Sequence, residues 1–181
     1  MAVIIYIIAL IIEVLFLASF SIITLSLIIS GLKGSPYVPT KNKELKAIFE
    51  QVDLKKGDKL YDLGCGDGRA IRFAVKEFGV KGVGYDVNTF LIWYSRFLAF
   101  IKGLKNIDFQ VKNILSVDLK DANYIYIFLM PKLIKKLVPL FDSQLKKDAI
   151  VISHGFKIEG WEKKLTKVIK HEPFPTYYYK K

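Results

Sequence analysis

Glycines and carboxylates alternate in one short stretch of the chain, residues 62–68, which reads DLGCGDG with Cys65 at its centre. Glycine lets a backbone turn sharply and leaves no β-carbon between chain and ligand, and three are present: Gly64, Gly66 and Gly68. A helix starting behind such a turn offers free N–H groups to a polar ligand. Dinucleotide sites place their third glycine one residue later and hold a pyrophosphate. The carboxylates of Asp62 and Asp67 would repel a pyrophosphate, so the stretch predicts a ligand with an ammonium group, such as a methionine moiety.

A third carboxylate follows at the end of the next predicted strand, where the sequence reads GVGYD and ends at Asp86. An acid at this position can accept hydrogen bonds from both hydroxyls of a ribose. The alternative is that Asp86 caps the helix that begins near Asn88. We favour ribose binding, because the glycine turn lies at the appropriate distance upstream.

Strand-like and helical stretches alternate from residue 59 onward, which is typical of parallel βαβ units. We predict strands at residues 59–63, 80–86, 107–111, 124–129, 149–153, 165–170 and 176–180. We predict helices around residues 45–52, 68–78, 88–102 and 131–147, the last kinked or divided by Pro139. The link between the last two strands is too short for a crossover helix, so these strands are antiparallel. The predicted fold is α/β: a Rossmann-like, doubly wound, mostly parallel sheet with an antiparallel C-terminal strand.

Residues 2–32 contain a single formally charged side chain, Glu13, and are long enough to cross a bilayer. A cleaved signal peptide is the alternative, but the segment lacks the basic start and short apolar core of one. All lysines and arginines follow it, which predicts a cytoplasmic domain by the positive-inside rule. The predicted divisions are a transmembrane anchor at 1–32, a linker with an amphipathic helix at 33–58, and a catalytic domain at 59–181.

The chain carries a net charge of +11 and a single cysteine. One cysteine allows no intrachain disulfide, which suits a reducing compartment. The positive charge suits nucleic acid or an anionic membrane surface, and the apolar segment favours the membrane.

The segments DLGCGDGR and GVGYDVN resemble those of class I methyltransferases. The segments are similar in particular to those of the lysine methyltransferases that act on the mitochondrial adenine nucleotide translocase and on the c subunit of ATP synthase, and to those of related small archaeal enzymes. It continues through YVPT at 37–40, IFLMP at 127–131 and VIS at 151–153, and covers roughly residues 37–161.

This resemblance implies S-adenosyl-L-methionine as cofactor. The expected cofactor-binding residues are Asp62, Gly64, Cys65, Gly66, Asp67, Gly68, Asp86 and Asn113. Asn113 stands where the family usually has an acid after the third strand, and its side-chain carbonyl can accept from an adenine amino group. Asp86 stands where the family usually has the longer Glu.

For the reacting lysine we predict an aromatic pocket that includes Tyr37 and Phe128. Pro39 and Thr40 are added to the catalytic set through the resemblance alone. One of Tyr177, Tyr178 and Tyr179 is a further candidate, although packing is the favoured interpretation for all three. His154 is a candidate base, with a structural role favoured.

The predicted function is methyl transfer to lysines of a membrane or membrane-adjacent protein. Nucleobase methyltransferases typically carry an Asn/Asp-Pro-Pro-aromatic turn after the fourth strand, and residues 128–131 offer no such acceptor side chain. We therefore expect no nucleic-acid partner, and no metal. A small-molecule or lipid methyltransferase and a non-catalytic cofactor-binding module remain as alternatives.

Overall fold

A computed structural model describes residues 1–32, 37–170 and 172–181. The chain forms two compact units, Met1–Tyr37 and Val38–Lys181. The helix of the predicted linker segment thus belongs to the larger unit, together with the predicted catalytic domain. Most of the predicted hinge, residues 33–36, lies outside the described residues.

The N-terminal unit consists of one helix, α1, at Ala2–Leu32. Within it, Ala2–Leu25 is long and apolar enough to cross a membrane, with a mean hydropathy of 2.8. This assignment rests on length and composition, and an N-terminal signal sequence would meet the same criteria.

The larger unit is built on one sheet of seven strands. The strands are β1 (Lys59–Leu63), β2 (Lys81–Asp86), β3 (Ile107–Val111), β4 (Tyr124–Ile127), β5 (Ile150–His154), β6 (Leu165–Ile169) and β7 (Thr176–Lys180). Their order across the sheet is β3-β2-β1-β4-β5-β7-β6. The first five strands are mutually parallel, and β7 is antiparallel to both of its neighbours. The predicted sheet with one reversed strand near its end is therefore confirmed.

Helices cover both faces of this sheet. They are α2 (Asn42–Phe49), α3 (Arg69–Phe78), α4 (Thr89–Ile101) and α5 (Pro131–Gln144). Apolar residues of α2, α3 and α4 share one buried cluster with strand residues such as Leu60 and Phe109. The other cluster holds α5 against Leu63 and Ile127. This arrangement is doubly wound, as the alternation of elements predicts.

The helix α5 is one continuous element with Pro139 inside it. The alternative that Pro139 divides this helix was therefore wrong, and the alternative that it kinks the helix stays a prediction. Proline removes one backbone donor and crowds the preceding turn. Here the buried side chains of Ile134, Leu137 and Phe141 lie on both sides of Pro139 and anchor the helix to the sheet. Tertiary packing outweighs the local penalty.

Candidate active site

The glycine turn joins β1 to α3 at the carboxyl end of the sheet. Its three glycines have left-handed φ angles: +86° at Gly64, +53° at Gly66 and +72° at Gly68. The last of them also approaches its neighbours closely, since a β-carbon there would lie 2.3 Å from Cζ of Phe109. Only glycine satisfies both conditions without strain. The turn is therefore tightly built and brings bare backbone to the end of β1.

Asp86, at the end of β2, holds this turn in place. Its Oδ2 accepts a hydrogen bond from the Gly66 amide at 2.9 Å, and its Oδ1 accepts from the Asn88 amide at 2.8 Å. The cap of α4 is Asn88, which accepts from the Leu91 amide at 3.1 Å. The alternative interpretation of Asp86 as the helix cap is therefore wrong. Each carboxylate oxygen keeps lone pairs that can accept from ribose hydroxyls.

Asp62 is a buried carboxylate beside the same turn, with 3% of its surface exposed. It lies level with Gly84 of β2 and Tyr126 of β4. Within the described ranges, no group donates a hydrogen bond to its carboxylate. Burial, with the nearby carboxylates of Asp86 and Asp67, raises the pKa of Asp62 well above its usual range. A buried carboxylate of this kind is costly unless a cation or a donor meets it. The ammonium of a bound amino-acid moiety would supply both.

Asp67, by contrast, already has a cationic partner. Its Oδ2 lies 2.8 Å from Nη2 of Arg69, and its Oδ1 accepts from the Arg69 amide at 3.0 Å. Arg72 donates to the Asp67 carbonyl. Burial acts to raise the pKa of Asp67, but the hydrogen bonds and charge of Arg69 outweigh it and lower that pKa. Its contact with the cofactor stays a prediction, and the structure shows an ion pair that stiffens the turn.

The other two predicted cofactor residues lie on either side of this group. Cys65 is buried within the turn, and burial raises the pKa of its thiol, which stays protonated. Asn113 is exposed after β3, where its Oδ1 accepts from the Leu115 amide at 3.0 Å and caps a short 3-10 turn. The predicted contact of Asn113 with adenine stays a prediction.

Aromatic rings meet at the ends of β4 and β5. The half-buried ring of Phe128 lies edge-on to His154, with centroids 4.5 Å apart, and to Phe174 at 5.3 Å. His154 is fully buried; its Nδ1 lies 2.9 Å from Oγ1 of Thr176, and its Nε2 lies 3.3 Å from Oε1 of Glu44. The second pair is within ion-pair distance but is not aligned as a hydrogen bond. His154 thus joins α2, β5 and β7, as the favoured structural interpretation predicts.

Thr40 approaches the site from the segment before α2. It is buried, and its hydroxyl lies 3.2 Å from the hydroxyl of Tyr126, next to Asp62 in the sheet. Burial raises the pKa of Tyr126, which therefore stays protonated. Pro39 is exposed. Tyr37 belongs to the N-terminal unit, and the catalytic roles of all three predicted residues of this segment stay predictions.

The three C-terminal tyrosines serve largely in packing. Tyr178 donates to the Ile48 carbonyl at 2.9 Å, and the hydroxyl of Tyr179 accepts from the Ile158 amide at 2.9 Å. Tyr177 packs against the α5 side of the core.

Four residues around the site were not predicted from the sequence: Glu44, Arg69, Tyr126 and Phe174. One of them, Arg69, had a detectable signal, because it follows the glycine turn directly. Tyr126 had none, because the register of β1 and β4 that places it beside Asp62 is visible only in the structure.

A profile of the ANTKMT methyltransferase domain matches residues 62–165, more than half of the chain. The chain belongs to this family. It is 37% identical over 139 residues to a protein-lysine N-methyltransferase of Saccharolobus islandicus, covering 76% of this chain and 85% of that protein. It is 27% identical over 129 residues to the adenine nucleotide translocase lysine N-methyltransferase of Mus musculus, covering 70% of this chain and 56% of that protein. The chain thus spans about half the length of the mouse relative.

Among solved structures, an RNA methyltransferase from Salinibacter ruber in complex with S-adenosyl-L-homocysteine superposes with a TM-score of 0.75. It is 28% identical, and the alignment covers 79% of this chain and 93% of that chain. Its family and its fold together identify this protein as an S-adenosylmethionine-dependent methyltransferase. The site fits this cofactor, because Asp62 lacks the cation that an amino-acid moiety would provide and Asp86 lies at the end of β2.

Proposed function

We propose that this protein methylates lysine side chains of a membrane or membrane-adjacent protein, with S-adenosylmethionine held by the predicted cofactor residues. The observation that carries the proposal is the aromatic group of Phe128, His154 and Phe174. Phe128 follows the end of β4, which pairs with the end of β1 directly before the glycine turn. The archaeal and mouse relatives, both named as lysine methyltransferases, support the same substrate class.

Bound S-adenosylmethionine supplies an electrophilic methyl group. A lysine amine has an ordinary pKa of about 10.4 and must be neutral to attack it. Apolar surroundings such as the Phe128 ring lower that pKa, because they solvate the ammonium poorly. The faces of aromatic rings still attract the cation as it arrives. In this proposal Asp62 holds the amino-acid moiety of the cofactor, Asp86 holds its ribose, and Phe128 aligns the amine.

The proposal places α1 across the membrane as a single span, with the catalytic domain in the cytoplasm. The length and hydropathy of Ala2–Leu25 support the span. The positive charge that follows it supports the orientation. The proposed division of the chain is an anchor at 1–32, a connecting segment with α2 at 33–58, and the catalytic domain at 59–181.

The direct test incubates the full-length protein with methyl-labelled S-adenosylmethionine and a membrane extract that also contains RNA. We expect label on a protein band that survives delipidation, and methyl-lysine after its hydrolysis. Label in the lipid phase would instead favour a lipid methyltransferase. Label in RNA would favour the activity named for the Salinibacter protein. Extraction of the membranes with alkaline carbonate tests the span, since an integral protein stays in the pellet.

Replacing Phe128 with alanine should lower kcat/KM for the protein substrate by about 10- to 100-fold, because the amine loses its desolvating ring. The affinity for S-adenosylmethionine should remain unchanged, as Phe128 is not among the predicted cofactor residues. Steady-state kinetics and calorimetry measure the two effects.

The matched variant is Phe128→Leu, which keeps most of the apolar volume and removes the aromatic face. Its stability should stay close to that of the wild type while kcat/KM falls. Wild-type kinetics for the leucine variant would contradict a role of the aromatic ring in holding the cation.

A further inference from the structure

The helix α4 is apolar on both of its sides. Its inner side buries Leu91, Ile92, Ser95 and Ala99. Its outer side carries large exposed side chains: Trp93 (62%), Tyr94 (39%), Phe97 (45%), Phe100 (83%) and Ile101 (62%). A helix that is apolar all round is normally buried or in contact with lipid. Within the part of the chain that the structure describes, nothing from the larger unit covers this outer side.

The aromatic side chains of α4 form a continuous surface. Trp93 stacks on Phe97 with ring centroids 5.8 Å apart, and Phe90 stacks on Tyr94 at 6.5 Å. The other helices of the domain differ, because α3 exposes Lys76 and Glu77 and α5 exposes several lysines. Large exposed apolar patches mark interaction sites. The outer side of α4 is therefore a contact surface.

Charge is sparse on the exposed side of α4 and increases beyond its end. Arg96 is the single charged residue of the helix; it is exposed, and its Nε donates to the Phe109 carbonyl at 2.8 Å. Exposed lysines follow directly after the helix, at Lys102 and Lys105. Aromatic and aliphatic side chains beside lysines are typical of helices that lie in the interface of a bilayer.

We propose that the outer face of α4, formed by Trp93, Tyr94, Phe97, Phe100 and Ile101, lies in the headgroup region of an anionic bilayer. A second copy of the chain is a weaker candidate, because each copy carries a net charge of +11, which opposes self-association and attracts anionic lipid. The inference deepens the proposed membrane location and rests on it. Because α4 begins directly after Asp86 and Asn88, this contact would bring the cofactor edge of the sheet to the membrane surface.

Tryptophan fluorescence tests the contact, because the chain has two tryptophans and the second, Trp161, is buried at 1% exposure. The full-length protein is placed in nanodiscs of phosphatidylcholine and phosphatidylserine, with and without acyl chains brominated near the headgroup. We expect brominated lipid to quench most of the Trp93 emission and aqueous iodide to quench little of it. The Trp93→Phe variant retains Trp161 alone, and its emission should be insensitive to both quenchers.

A double variant, Phe97→Glu with Phe100→Glu, should abolish quenching by lipid and make Trp93 accessible to iodide. The control is Val168→Glu, which places one glutamate at another exposed apolar residue, on β6, and should leave the quenching intact. Binding of S-adenosylmethionine reports that each variant is folded, because none of these residues is among the predicted cofactor residues.

Iodide quenching of the wild type without lipid quenching would overturn the proposal. Protection from both quenchers together with crosslinked dimers would also overturn it, in favour of a protein partner. Carbonate extraction of the same samples separates the two proposals. Protein that is retained in the membrane but has an unquenched Trp93 refutes the α4 contact alone. Protein released by carbonate refutes the span formed by α1.

Discussion

Asp62→Asn should stabilise the cofactor-free protein at neutral pH and weaken binding of S-adenosylmethionine by about 10- to 100-fold. The loss of binding follows from the removal of a charge-assisted hydrogen bond to the ammonium, worth about 1.5–3 kcal/mol. The gain in stability follows from the removal of a buried charge to which no described residue donates a hydrogen bond. Such a group costs roughly 1–3 kcal/mol. Affinity and stability therefore change in opposite directions.

The effect on stability depends on pH with a definite sign. The folded protein raises the pKa of Asp62 above the ordinary value of 3.8, so it holds this proton more tightly than the unfolded chain does. The free energy of unfolding of the wild type should therefore fall as the pH rises from about 3.8 towards the folded pKa. The asparagine variant lacks this dependence. Its advantage should be absent below pH 3.8 and grow as the pH is raised.

Thermal unfolding of the full-length proteins in detergent, followed by near-ultraviolet circular dichroism across this pH range, measures the stability. Calorimetry measures the affinity. Asp53→Asn serves as the control, because the side chain of Asp53 is 84% exposed and precedes β1, whereas the turn follows β1. Cofactor binding equal to that of the wild type in the Asp62 variant would remove the proposed ammonium site.

Gly68→Ala should destabilise the domain by about 2–5 kcal/mol and abolish detectable cofactor binding. A left-handed φ of +72° costs a non-glycine residue roughly 1–2 kcal/mol. The new β-carbon would also lie 2.3 Å from Cζ of Phe109 and 2.8 Å from Cβ of Ser95. Both neighbours belong to buried elements, so relief requires the turn or the core to move, at a typical cost of 1–3 kcal/mol. Urea denaturation and calorimetry measure the two losses.

Gly103→Ala is a matched control for this change. Gly103 has a similar φ of +61°, but a β-carbon there would meet no atom within 4 Å. It should therefore show the backbone strain alone, with normal cofactor binding. If Gly68→Ala lowers the free energy of unfolding by no more than Gly103→Ala does, the close contact with Phe109 does not contribute to the loss of stability.

The fold was largely predictable, because its determinants are local and periodic. The strand at Lys59–Leu63 was predicted from its apolar pattern, and the helix after it was predicted from the glycine turn that separates the two. The division of α5 at Pro139 was wrongly expected because the penalty of a proline is local, whereas the contacts of Ile134 and Phe141 that offset it come from distant strands. The position of β7 between β5 and β6 likewise could not be predicted from the sequence, since pairing between distant strands leaves little trace in sequence spacing.

The part of the site that lies within one short segment, the glycine turn, was predictable from the sequence. The clamp between Asp86 and the Gly66 amide agrees with the juxtaposition expected of two neighbouring strand ends. The pairing of Asp67 with Arg69 was missed, because a carboxylate in a turn was assigned to the ligand without considering an adjacent arginine. The surroundings of His154 combine Glu44, Thr176 and Phe128, which are far apart in the chain. No pattern in the sequence links them.

The strand order also constrains how the domain is made. β6 precedes β7 in the chain but reaches the sheet only through it, so β6 has no partner until β7 has left the ribosome. Until then the β5 edge presents unpaired backbone groups, which favours pairing with other chains. The group of Phe128, His154 and Phe174 is completed equally late, since Phe174 and Thr176 belong to the same segment. A nascent chain that has already formed its glycine turn would therefore still lack the aromatic group that we propose receives the lysine.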